Sequence, residues 1–394
     1  NKLNLMKKKI NCPVCLNKNF KNKVKINFTR FDKSYIYKYF RISFCKKCSH
    51  VFNNVKKYEI ENLKKYYQQE YSKANLASEN HLSPNNLKNN YELYNFIKKK
   101  IDKKETKILD VGCGTGNLLK FLKNKNFSNL SGIEPIKKYY NQIQKKKFRL
   151  IKNTNLEKFE NRSKFDLIII DQTLEHIWDL KLVIKKLKNL LNHKGYIVIG
   201  VPNFEEYNNF FRFPFFWFTI REHVHHFSET SLRFLFNDFK FIKSRKTKFY
   251  MFSNSIKMPN KYYLFQNEKI KNPKIYKNND IEKKLDLYIK RSINSTKLIS
   301  RTILKIKNNH SQIFLYGIGR EFSLLYNLFK KFFKKIILID NNNYKNKQKI
   351  DNKEIFSFEY AKKKFNLRYI YVTAFTNYKE IKISLKKEKI KLLN

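Results

Sequence analysis

The stretch ILDVGCGTGNLL, residues 108–119, decides the fold of this chain. Its apolar start is typical of a strand that is covered on both faces, as in a parallel sheet. Gly112, Gly114 and Gly116 then predict a sharp turn that brings the backbone against a ligand without an intervening side chain. Dinucleotide-binding folds use a similar loop, and a βαβ turn can also bind nothing, so the loop alone leaves these alternatives open.

The next strand supplies an acidic residue where a ribose would be bound. LSGIEP, residues 130–135, predicts a second strand that ends at Glu134, 18 residues after Gly116. A carboxylate at this place can accept both ribose hydroxyls of an adenosine. Together the loop and Glu134 resemble the first motifs of class I S-adenosylmethionine (SAM) methyltransferases. The resemblance implies that Asp110 lies near the methionine end of SAM, where a carboxylate suits the sulfonium cation.

Segments farther along continue an alternation of strands and helices. FDLIIIDQTLEHI (165–177) predicts an apolar strand that runs into a polar loop, and GYIVIGVPN (195–203) predicts another strand after an Asn-His-Lys-Gly turn. LKLVIKKLKNLL (180–191) has apolar residues at helical spacing and would cover one face of the sheet. A further strand is predicted around residues 148–151. This order indicates an α/β fold with a doubly wound parallel sheet, of the seven-stranded type that the resemblance implies.

The polar residues of this sheet fall at the carboxyl ends of its strands. Asp110, Glu134 and Asp171 each end a predicted strand, and residues 153–156 follow another, where the adenine edge would be bound. Open α/β sheets bind their ligands at this edge. We therefore expect these residues to line a cofactor site.

Two CxxC knuckles near the amino terminus predict a metal site. Cys12 and Cys15 form one knuckle, and Cys45 and Cys48 form the other after 29 intervening residues. Four thiolates complete a tetrahedral zinc site and leave no position for water, so the zinc would be structural. Two disulfides are the alternative, which reduced cytosolic thiols disfavour. His50 follows closely, but four cysteines already satisfy the metal.

The high net charge of the chain says little about its binding partners. The formal charge is +53, yet only 12 of the 85 basic residues are arginine, and the lysines are spread along the chain. Because nucleic-acid sites favour the bidentate fork of arginine, the charge is weak evidence for a nucleic-acid partner. Lys, Asn, Ile, Phe and Tyr are all encoded by A/T-rich codons, so a biased genome also explains it. No apolar run approaches the roughly 20 residues of a membrane span, and we expect a cytoplasmic protein without such a span.

The most apolar segment is FFRFPFFWFTI, residues 210–220. It is only 11 residues long and contains Arg212 and Pro214. It can be a loop packed over the core or a membrane-surface patch, but the preferred interpretation is a lid over the active site.

REHVHHFSETSLRFLF, residues 221–236, follows with the densest acid/base cluster of the chain. Ser228 predicts the cap of an amphipathic helix that begins near Thr230. The cysteine knuckles, the SAM sheet, the Glu-His pair before a Phe-Ser helix cap and a further Rossmann-like unit together resemble the sugar C-methyltransferase family. Enzymes of that family act on nucleotide-linked keto sugars in deoxysugar biosynthesis.

The resemblance implies a set of catalytic residues. The family's Glu-His pair matches Glu222 and His223, the histidine after the fourth strand matches His176, and an amino-terminal tyrosine matches Tyr71. For methylation of carbon, a base must remove a proton alpha to a ketone while another group stabilises the enolate. We expect His223 to be that base with Glu222 fixing its tautomer, and Tyr71 or His176 to lie near the developing oxyanion. Methylation of oxygen or nitrogen needs only the base and stays open.

The carboxy-terminal part contains a second strand–glycine–helix pattern. IFLYGIGREFSLLYNLF, residues 313–329, places Gly317 and Gly319 after a strand, but Phe322 stands where a dinucleotide site has its third glycine. This domain is therefore predicted to be structural or to help hold the nucleotide part of the substrate. The predicted domains are a zinc-binding domain at 1–60, a helical connector at 61–105, a SAM-binding methyltransferase domain at 106–255, a helical linker at 256–308 and a smaller Rossmann-like α/β domain at 309–394.

Three functions remain after these patterns are weighed. The first is a SAM-dependent methyltransferase of a small molecule, foremost a nucleotide-linked sugar of surface-polysaccharide or deoxysugar biosynthesis. The second is a nucleic-acid methyltransferase, which the loop after Asp171 disfavours because it lacks the Pro-Pro-aromatic motif used for adenine nitrogen; ribose methylation stays open. The third is a zinc-containing interaction module with an inactive SAM fold, which the intact loop and Glu134 disfavour.

Overall fold

The computed structural model describes residues 11–74, 84–101, 104–144, 148–250, 257–268, 270, 276 and 278–394. The strands of these residues are β1 Lys21–Asn27, β2 Tyr39–Cys45, β3 His50–Asn53, β4 Ile108–Val111, β5 Leu130–Ile133, β6 Leu150–Lys152, β7 Phe165–Asp171, β8 Leu191–Pro202, β9 His225–His226, β10 Lys240–Tyr250, β11 Lys257–Gln266, β12 Gln312–Tyr316, β13 Lys335–Ile339, β14 Lys349–Ile350, β15 Lys353–Phe356, β16 Tyr369–Val372 and β17 Lys391–Leu392. The α-helices are α1 Lys57–Gln69, α2 Tyr71–Ala74, α3 Pro84–Ile97, α4 Asn117–Lys123, α5 Lys137–Ile143, α6 Leu180–Leu190, α7 Glu229–Leu235, α8 Ile281–Asn309, α9 Arg320–Phe332, α10 Asn343–Asn346, α11 Phe358–Phe365 and α12 Tyr378–Lys387.

The central sheet has the order β10-β11-β8-β7-β4-β5-β6. The five strands from β8 to β6 are parallel, as the sequence predicted, whereas β11 pairs antiparallel with β8 and with β10. The sheet is therefore mixed. Because β11 reaches Gln266, the sheet also extends past the boundary at residue 255 that the sequence suggested. The predicted Asn-His-Lys-Gly turn lies inside β8, where Lys194 has a φ of 59° and the pairing with β7 shifts register.

Helix α6 covers one face of this sheet for a simple reason. Its residues at helical spacing, Leu180, Val183 and Leu187, are all buried. The Asp179 side chain accepts a hydrogen bond from Leu182 N at 3.0 Å and caps the first turn. The sequence placed this helix within one residue of its observed ends.

A smaller antiparallel sheet joins the two ends of a long stretch of sequence. Strands β1, β2 and β3 come from the amino terminus, and β9 adds as the fourth strand. Val51 pairs with His226, and Phe52 pairs with His225. The histidine-rich segment between β8 and β10 is therefore anchored on the amino-terminal module.

The third sheet has the order β14-β15-β13-β12-β16-β17 and is parallel except for β14. Helix α8, which the sequence predicted as a polar connecting helix, precedes it. The carboxy-terminal residues therefore form a second α/β unit around a sheet of their own.

The aromatic segment at 210–220 is part of the core. Its Phe215 N donates to Ser292 Oγ at 3.0 Å, and its Trp217 N donates to Tyr288 Oη at 3.2 Å, both on α8. Trp217 and Phe218 are almost fully buried. The lid interpretation is therefore wrong, because these rings are fixed in the interior, and for the same reason they form no membrane-surface patch. None of the described helices has the length and hydropathy to cross a bilayer.

Candidate active site

The glycine loop after β4 is shaped by what surrounds each glycine. Gly112, Gly114 and Gly116 have φ values of 73°, 53° and 79°. A Cβ on Gly112 would lie 2.5 Å from the Thr173 hydroxyl oxygen, and one on Gly116 would lie 2.5 Å from Ile143 Cδ1. A Cβ on Gly114 would meet nothing within 4 Å. The loop is thus closed against the protein on two sides and open at its middle glycine.

Glu134 closes the base of this loop. Its carboxylate accepts hydrogen bonds from Gly114 N and from Ile136 N, both at 2.8 Å. Asn153 Nδ2 donates to the Glu134 carbonyl at 2.8 Å and ties the next strand end to it. Each carboxylate oxygen accepts only one of these bonds and has a further lone pair, which suits a diol.

Three buried carboxylates meet at the carboxyl ends of β4, β5 and β7. Burial, together with the charges of Asp171 and Glu134, raises the pKa of Asp110 to about 8. Burial likewise raises the pKa of Glu134 and of Asp171 to about 7. Since the cost lies in holding negative charge without a counter-charge, this edge of the sheet favours a bound cation.

His176 and His223 lie together, as the sequence predicted for its catalytic set. Their ring centroids are 4.7 Å apart in an edge-to-face arrangement. His176 Nδ1 lies 2.7 Å from Tyr67 Oη and 3.1 Å from the Glu222 carbonyl oxygen. The loop after β7 and the segment before β9 therefore share one cluster.

The carboxylate beside His223 is Glu175, and not Glu222. His223 Nε2 lies 3.8 Å from Glu175 Oε1. The Glu222 carboxylate instead accepts a hydrogen bond from Tyr66 Oη at 2.9 Å. The expectation that Glu222 fixes the His223 tautomer is wrong in this geometry, because Glu222 is directed towards α1.

Electrostatics keep both imidazoles neutral. Burial lowers the pKa of His223 well below its ordinary value, and the positive charge of Arg320 acts in the same direction. Burial also lowers the pKa of His176. Burial raises the pKa of Glu175 to about 8. At neutral pH both imidazoles therefore have a free lone pair. They lie beside the Glu175 carboxyl group, which holds its proton at this pH and can pass it to a stronger base.

Helix α1 contributes two tyrosines that the sequence did not single out. Tyr66 and Tyr67 contact Glu222 and His176, as described, while the predicted Tyr71 packs its ring against both at centroid distances of 6.2 and 5.1 Å. Burial raises the pKa of Tyr71, and the charge of Glu222 adds to this rise. Tyr71 thus contacts the two tyrosines that contact Glu222 and His176. Tyr66 and Tyr67 are adjacent in an amphipathic helix, and this pattern was the feature of the sequence that could have indicated them.

The other histidines have structural surroundings. His50 Nε2 and His225 Nδ1 are 3.1 Å apart, and His225 Nε2 lies 2.9 Å from the Ile177 carbonyl oxygen. His226 Nδ1 lies 3.1 Å from Tyr207 Oη. All three are buried. Ser228 caps α7 as predicted, because its hydroxyl accepts a hydrogen bond from Ser231 N.

The four cysteines of the knuckles converge. Cys12 Sγ lies 3.6 Å from Cys48 Sγ, and Cys15 Sγ lies 3.5 Å from Cys45 Sγ. All four sulfurs lie within 4.8 Å of one another, and none is in a disulfide. A tetrahedral zinc ion with bonds of about 2.3 Å places its sulfurs about 3.8 Å apart, so the four residues fit that metal.

A cavity of about 560 Å³ is lined in part by Glu222, whose carbonyl oxygen lies 3.1 Å from His176 Nδ1. Its walls come from the loop after β1, the segment after the aromatic stretch, and the glycine turn with the start of α9. Thr29 N donates to the Ser323 carbonyl at 2.6 Å and joins two of these walls. Its charged lining residues are Arg30, Arg221, Arg320, Lys345, Glu70 and Glu222.

The central sheet, its glycine loop and its acidic strand ends are matched by a known family. A family model described as "Methyltransferase domain" matches residues 84–241. These residues are a class I SAM-dependent methyltransferase domain. The methyltransferase domain holds the glycine loop, Asp110, Glu134, Asp171, His176 and His223, so the sequence prediction of its class is confirmed.

Two curated relatives match part of this chain. N-methyltransferase 4 of Papaver somniferum is 33% identical over 92 residues, which are 21% of this chain and 26% of the relative. The ubiquinone biosynthesis O-methyltransferase of Pelagibacter ubique is 32% identical over 108 residues, which are 25% of this chain and 43% of the relative. The chain thus spans about a quarter and less than half of the lengths of these two relatives.

Solved methyltransferase structures also resemble the chain. A SAM-dependent methyltransferase of Methanosarcina mazei has a TM-score of 0.39 at 18% identity and covers 45% of this chain and 99% of its own. N-methyltransferase NodS of Bradyrhizobium japonicum, in complex with S-adenosylhomocysteine, has a TM-score of 0.38 at 14% identity and covers 53% and 98%.

Proposed function

We propose that this protein transfers the methyl group of SAM to a small acceptor that carries a phosphorylated group, namely a nucleotide-linked keto sugar. The methyltransferase domain supports the reaction type. The observation that carries the substrate class is the arginine- and lysine-lined cavity that Glu222, the neighbour of His223 in sequence, helps to line.

The open middle of the glycine loop and the buried carboxylates support one orientation of bound SAM. The ribose hydroxyls would bind Glu134, which keeps free lone pairs, and the sulfonium would lie near Asp110 and Asp171. A cation there offsets the cost of the buried negative charge. Gly112, Gly114 and Gly116 would let the backbone approach the cofactor.

For the acceptor, the cavity supplies positive charge from three modules. Arg30 comes from the loop after β1, Arg221 from the segment before β9, and Arg320 and Lys345 from the carboxy-terminal unit. Lys345 is paired with Asp340 at 2.8 Å, whereas Arg320 has no ion-pair partner within the part of the chain described here. Guanidinium groups bind phosphate oxygens in a bidentate manner. The diphosphate of a nucleotide sugar fits this lining, and the sugar would then extend towards the histidines.

The chemistry follows from the neutral imidazoles. For a keto sugar, His223 Nε2 would take the proton alpha to the ketone, and the carbon would attack the SAM methyl group while the C–S bond breaks and S-adenosylhomocysteine leaves. Tyr67, whose hydroxyl oxygen can accept the Nδ1 proton of His176, would donate its own proton to the enolate oxygen. The Glu175 carboxyl group lies beside His223, and once it has lost its own proton it would stabilise the imidazolium that forms.

Methylation of oxygen or nitrogen is the second candidate, and the names of the two curated relatives favour it. The same base and the same cofactor site would serve it, because only the proton of a hydroxyl or an amine then has to be removed. The ¹³C chemical shift of a product made with ¹³C-methyl SAM separates carbon, oxygen and nitrogen methylation.

We also propose that one structural zinc is held by Cys12, Cys15, Cys45 and Cys48. Its binding would fix the amino-terminal module on which β9 is anchored. Elemental analysis of reduced protein, purified without added metal, should give about one zinc per chain. A metal-free protein that remains stably folded would contradict this proposal.

The substrate class is tested with labelled SAM and a panel of nucleotide-linked keto sugars, each beside the free sugar. We expect transfer only to nucleotide-linked members, because only they carry the phosphates. Arg320→Gln should raise KM for the sugar more than it lowers kcat, and the exposed Arg368→Gln serves as the matched control. Equal transfer to free sugars would contradict the nucleotide-linked substrate.

A further inference from the structure

Three donor side chains of the histidine cluster converge without a group that satisfies them. One ligand atom from each of Glu175, His176 and His223 can be chosen so that all three lie within 4.8 Å of one another. Glu175 belongs to the loop after β7, and His223 belongs to the segment before β9, so the fold rather than local sequence brings them together.

The hydrogen bonding of these side chains leaves their donor atoms available. Glu175 is fully buried, and neither of its carboxylate oxygens has a hydrogen-bond partner among the described residues. His223 Nε2, the atom that would bind the metal, lies 3.8 Å from Glu175 Oε1, beyond hydrogen-bond distance. An unpartnered buried carboxylate is costly, and a bound cation is one way in which proteins offset this cost.

His176 has the arrangement that orients a metal ligand. Its Nδ1 lies 3.1 Å from the Glu222 carbonyl oxygen, which can accept the Nδ1 proton. This bond sets the tautomer in which the Nε2 lone pair is free for a metal. The ordinary surroundings of ligating histidines include such a carbonyl or carboxylate partner.

From these contacts we propose that Glu175, His176 and His223 form a second metal site, for a divalent first-row transition-metal ion, in addition to the four-cysteine site. Two imidazoles and one carboxylate suit Zn²⁺, Co²⁺ and Fe²⁺ better than Mg²⁺ or Ca²⁺. Bonds of about 2.1 Å place ligand atoms about 3.4 Å apart in a tetrahedron, so small side-chain rotations complete the set. Positions not taken by the protein remain open to water or acceptor.

The site regulates the proposed methyl transfer, and in this respect the inference rests on the proposed function. The lone pair of His223 Nε2 either takes the acceptor's proton or binds the metal, because it cannot do both at once. The metal-free cluster is therefore the active form, and metal occupancy inhibits transfer without displacing SAM.

Metal stoichiometry of the full chain tests the site without any turnover. Protein that retains its cysteine-bound metal is titrated with Co²⁺ or Zn²⁺, passed over a desalting column and analysed by elemental analysis. We expect one added metal per chain in the wild type and none in His223→Asn or Glu175→Gln. The exposed His193→Asn is the matched control and should bind the added metal like the wild type. The added Co²⁺ should bring no thiolate charge-transfer absorption, which separates it from the cysteine site.

Because Glu175 is buried, its variant is first checked for folding by circular dichroism, and His176→Asn provides a second, less buried test. An added metal that all three variants still bind, or none in the wild type, overturns the site. Zinc should inhibit methyl transfer in proportion to occupancy while calorimetric SAM affinity stays constant. A rate that rises with occupancy overturns the competition. Absence of transfer in every metal state contradicts the proposed function instead, and the stoichiometry still decides the site.

Discussion

Two strand–glycine–helix units of this molecule, after β4 and after β12, are alike in their backbone. Gly112 N donates to the Ile133 carbonyl at 2.9 Å, and Gly317 N donates to the Ile339 carbonyl at 2.9 Å. In both, the first glycine has a positive φ, and a Cβ on it would lie 2.5 Å from a residue that follows a neighbouring strand. In both turns the first position therefore requires glycine, because a larger side chain would collide with a neighbouring residue.

The acidic residues that follow are also alike in their first contacts. Glu134 accepts from Gly114 N and Ile136 N, and Asp340 accepts from Ile318 N and Asn342 N, at 2.7 to 2.9 Å. Only Asp340 has in addition a lysine, because Lys345 Nζ donates to it at 2.8 Å.

The two units differ at the start of the helix that follows each glycine turn. Gly116 stands directly before α4 and leaves the start of this helix without a side chain, whereas Phe322 lies in the first turn of α9 and is 1% exposed. The carboxylate of the first unit stays available to a ligand, and that of the second is neutralised by its own domain. The comparison teaches that the local glycine pattern specifies the turn in both units, while residues outside the turn differ, since Lys345 supplies a counter-charge to the carboxylate of the second unit.

The largest expected effect tests whether methyl transfer takes place beside the first strand–glycine–helix unit, the one after β4. His223→Asn should lower turnover by a factor of about 100 to 10,000, the usual contribution of a general base, and leave SAM affinity unchanged. Single-turnover rates with labelled SAM and calorimetry measure the two quantities, and His193→Asn is the control. If His176→Asn abolishes turnover while His223→Asn barely slows it, the two roles are exchanged.

The comparison itself is tested by a matched pair of substitutions. Glu134→Ala should lower SAM affinity tenfold or more, about 1.4 kcal/mol, because the ribose hydroxyls lose their acceptor. Asp340→Ala should leave SAM affinity within about twofold of the wild type, since we place no SAM contact in the second unit. Isothermal titration calorimetry measures both. An equal loss in the two variants would show that the units are not functionally different.

The pH dependence of SAM binding should follow the buried carboxylates of the first unit. Their pKa values of about 8 for Asp110 and about 7 for Glu134 and Asp171 mean that they carry protons below neutrality. SAM affinity should rise severalfold from about pH 6 to about pH 8, because deprotonation creates the charge that attracts the sulfonium. Calorimetry in two buffers of different ionisation enthalpy should detect proton release. A flat profile would contradict this assignment.

The same pKa values have the opposite effect on the cofactor-free fold. The folded state holds these protons more tightly than the unfolded state does, so their contribution to stability is present below the ordinary carboxyl pKa near 4. It is lost as the pH rises through about 7 to 8. Denaturant unfolding at several pH values measures this loss, which added SAM should offset.

The smallest expected effect concerns the open glycine. Gly114→Ala should cost about 1 kcal/mol of unfolding free energy, because alanine tolerates its positive φ poorly but meets no neighbour. Gly112→Ala should cost more, since its methyl group would collide with Thr173. Urea unfolding without SAM compares them. Equal costs would indicate that the loop relaxes freely.

Much of the molecule was predictable from short-range pattern. The spacing of apolar residues predicts the strands β4, β7 and β8 and the helix α6, and cap chemistry predicts the cap at Ser228. Both signals depend on neighbours within a few residues. Missed features involve partners far apart in sequence. The pairing of His225 with Phe52 joins residues 173 positions apart, and the tyrosine contacts of Glu222 and His176 span more than 100.

By itself the sequence determined the glycine turn with its acidic neighbour, the two cysteine knuckles and the alternation that makes the central domain a methyltransferase. These depend on local backbone sterics and on the chemistry of individual side chains. Only the tertiary structure decided that Glu175 rather than Glu222 faces His223, that the aromatic segment is core, and that three modules enclose one basic cavity. The physical reason is that adjacent side chains point in different directions, and only packing against distant elements determines which of them meet.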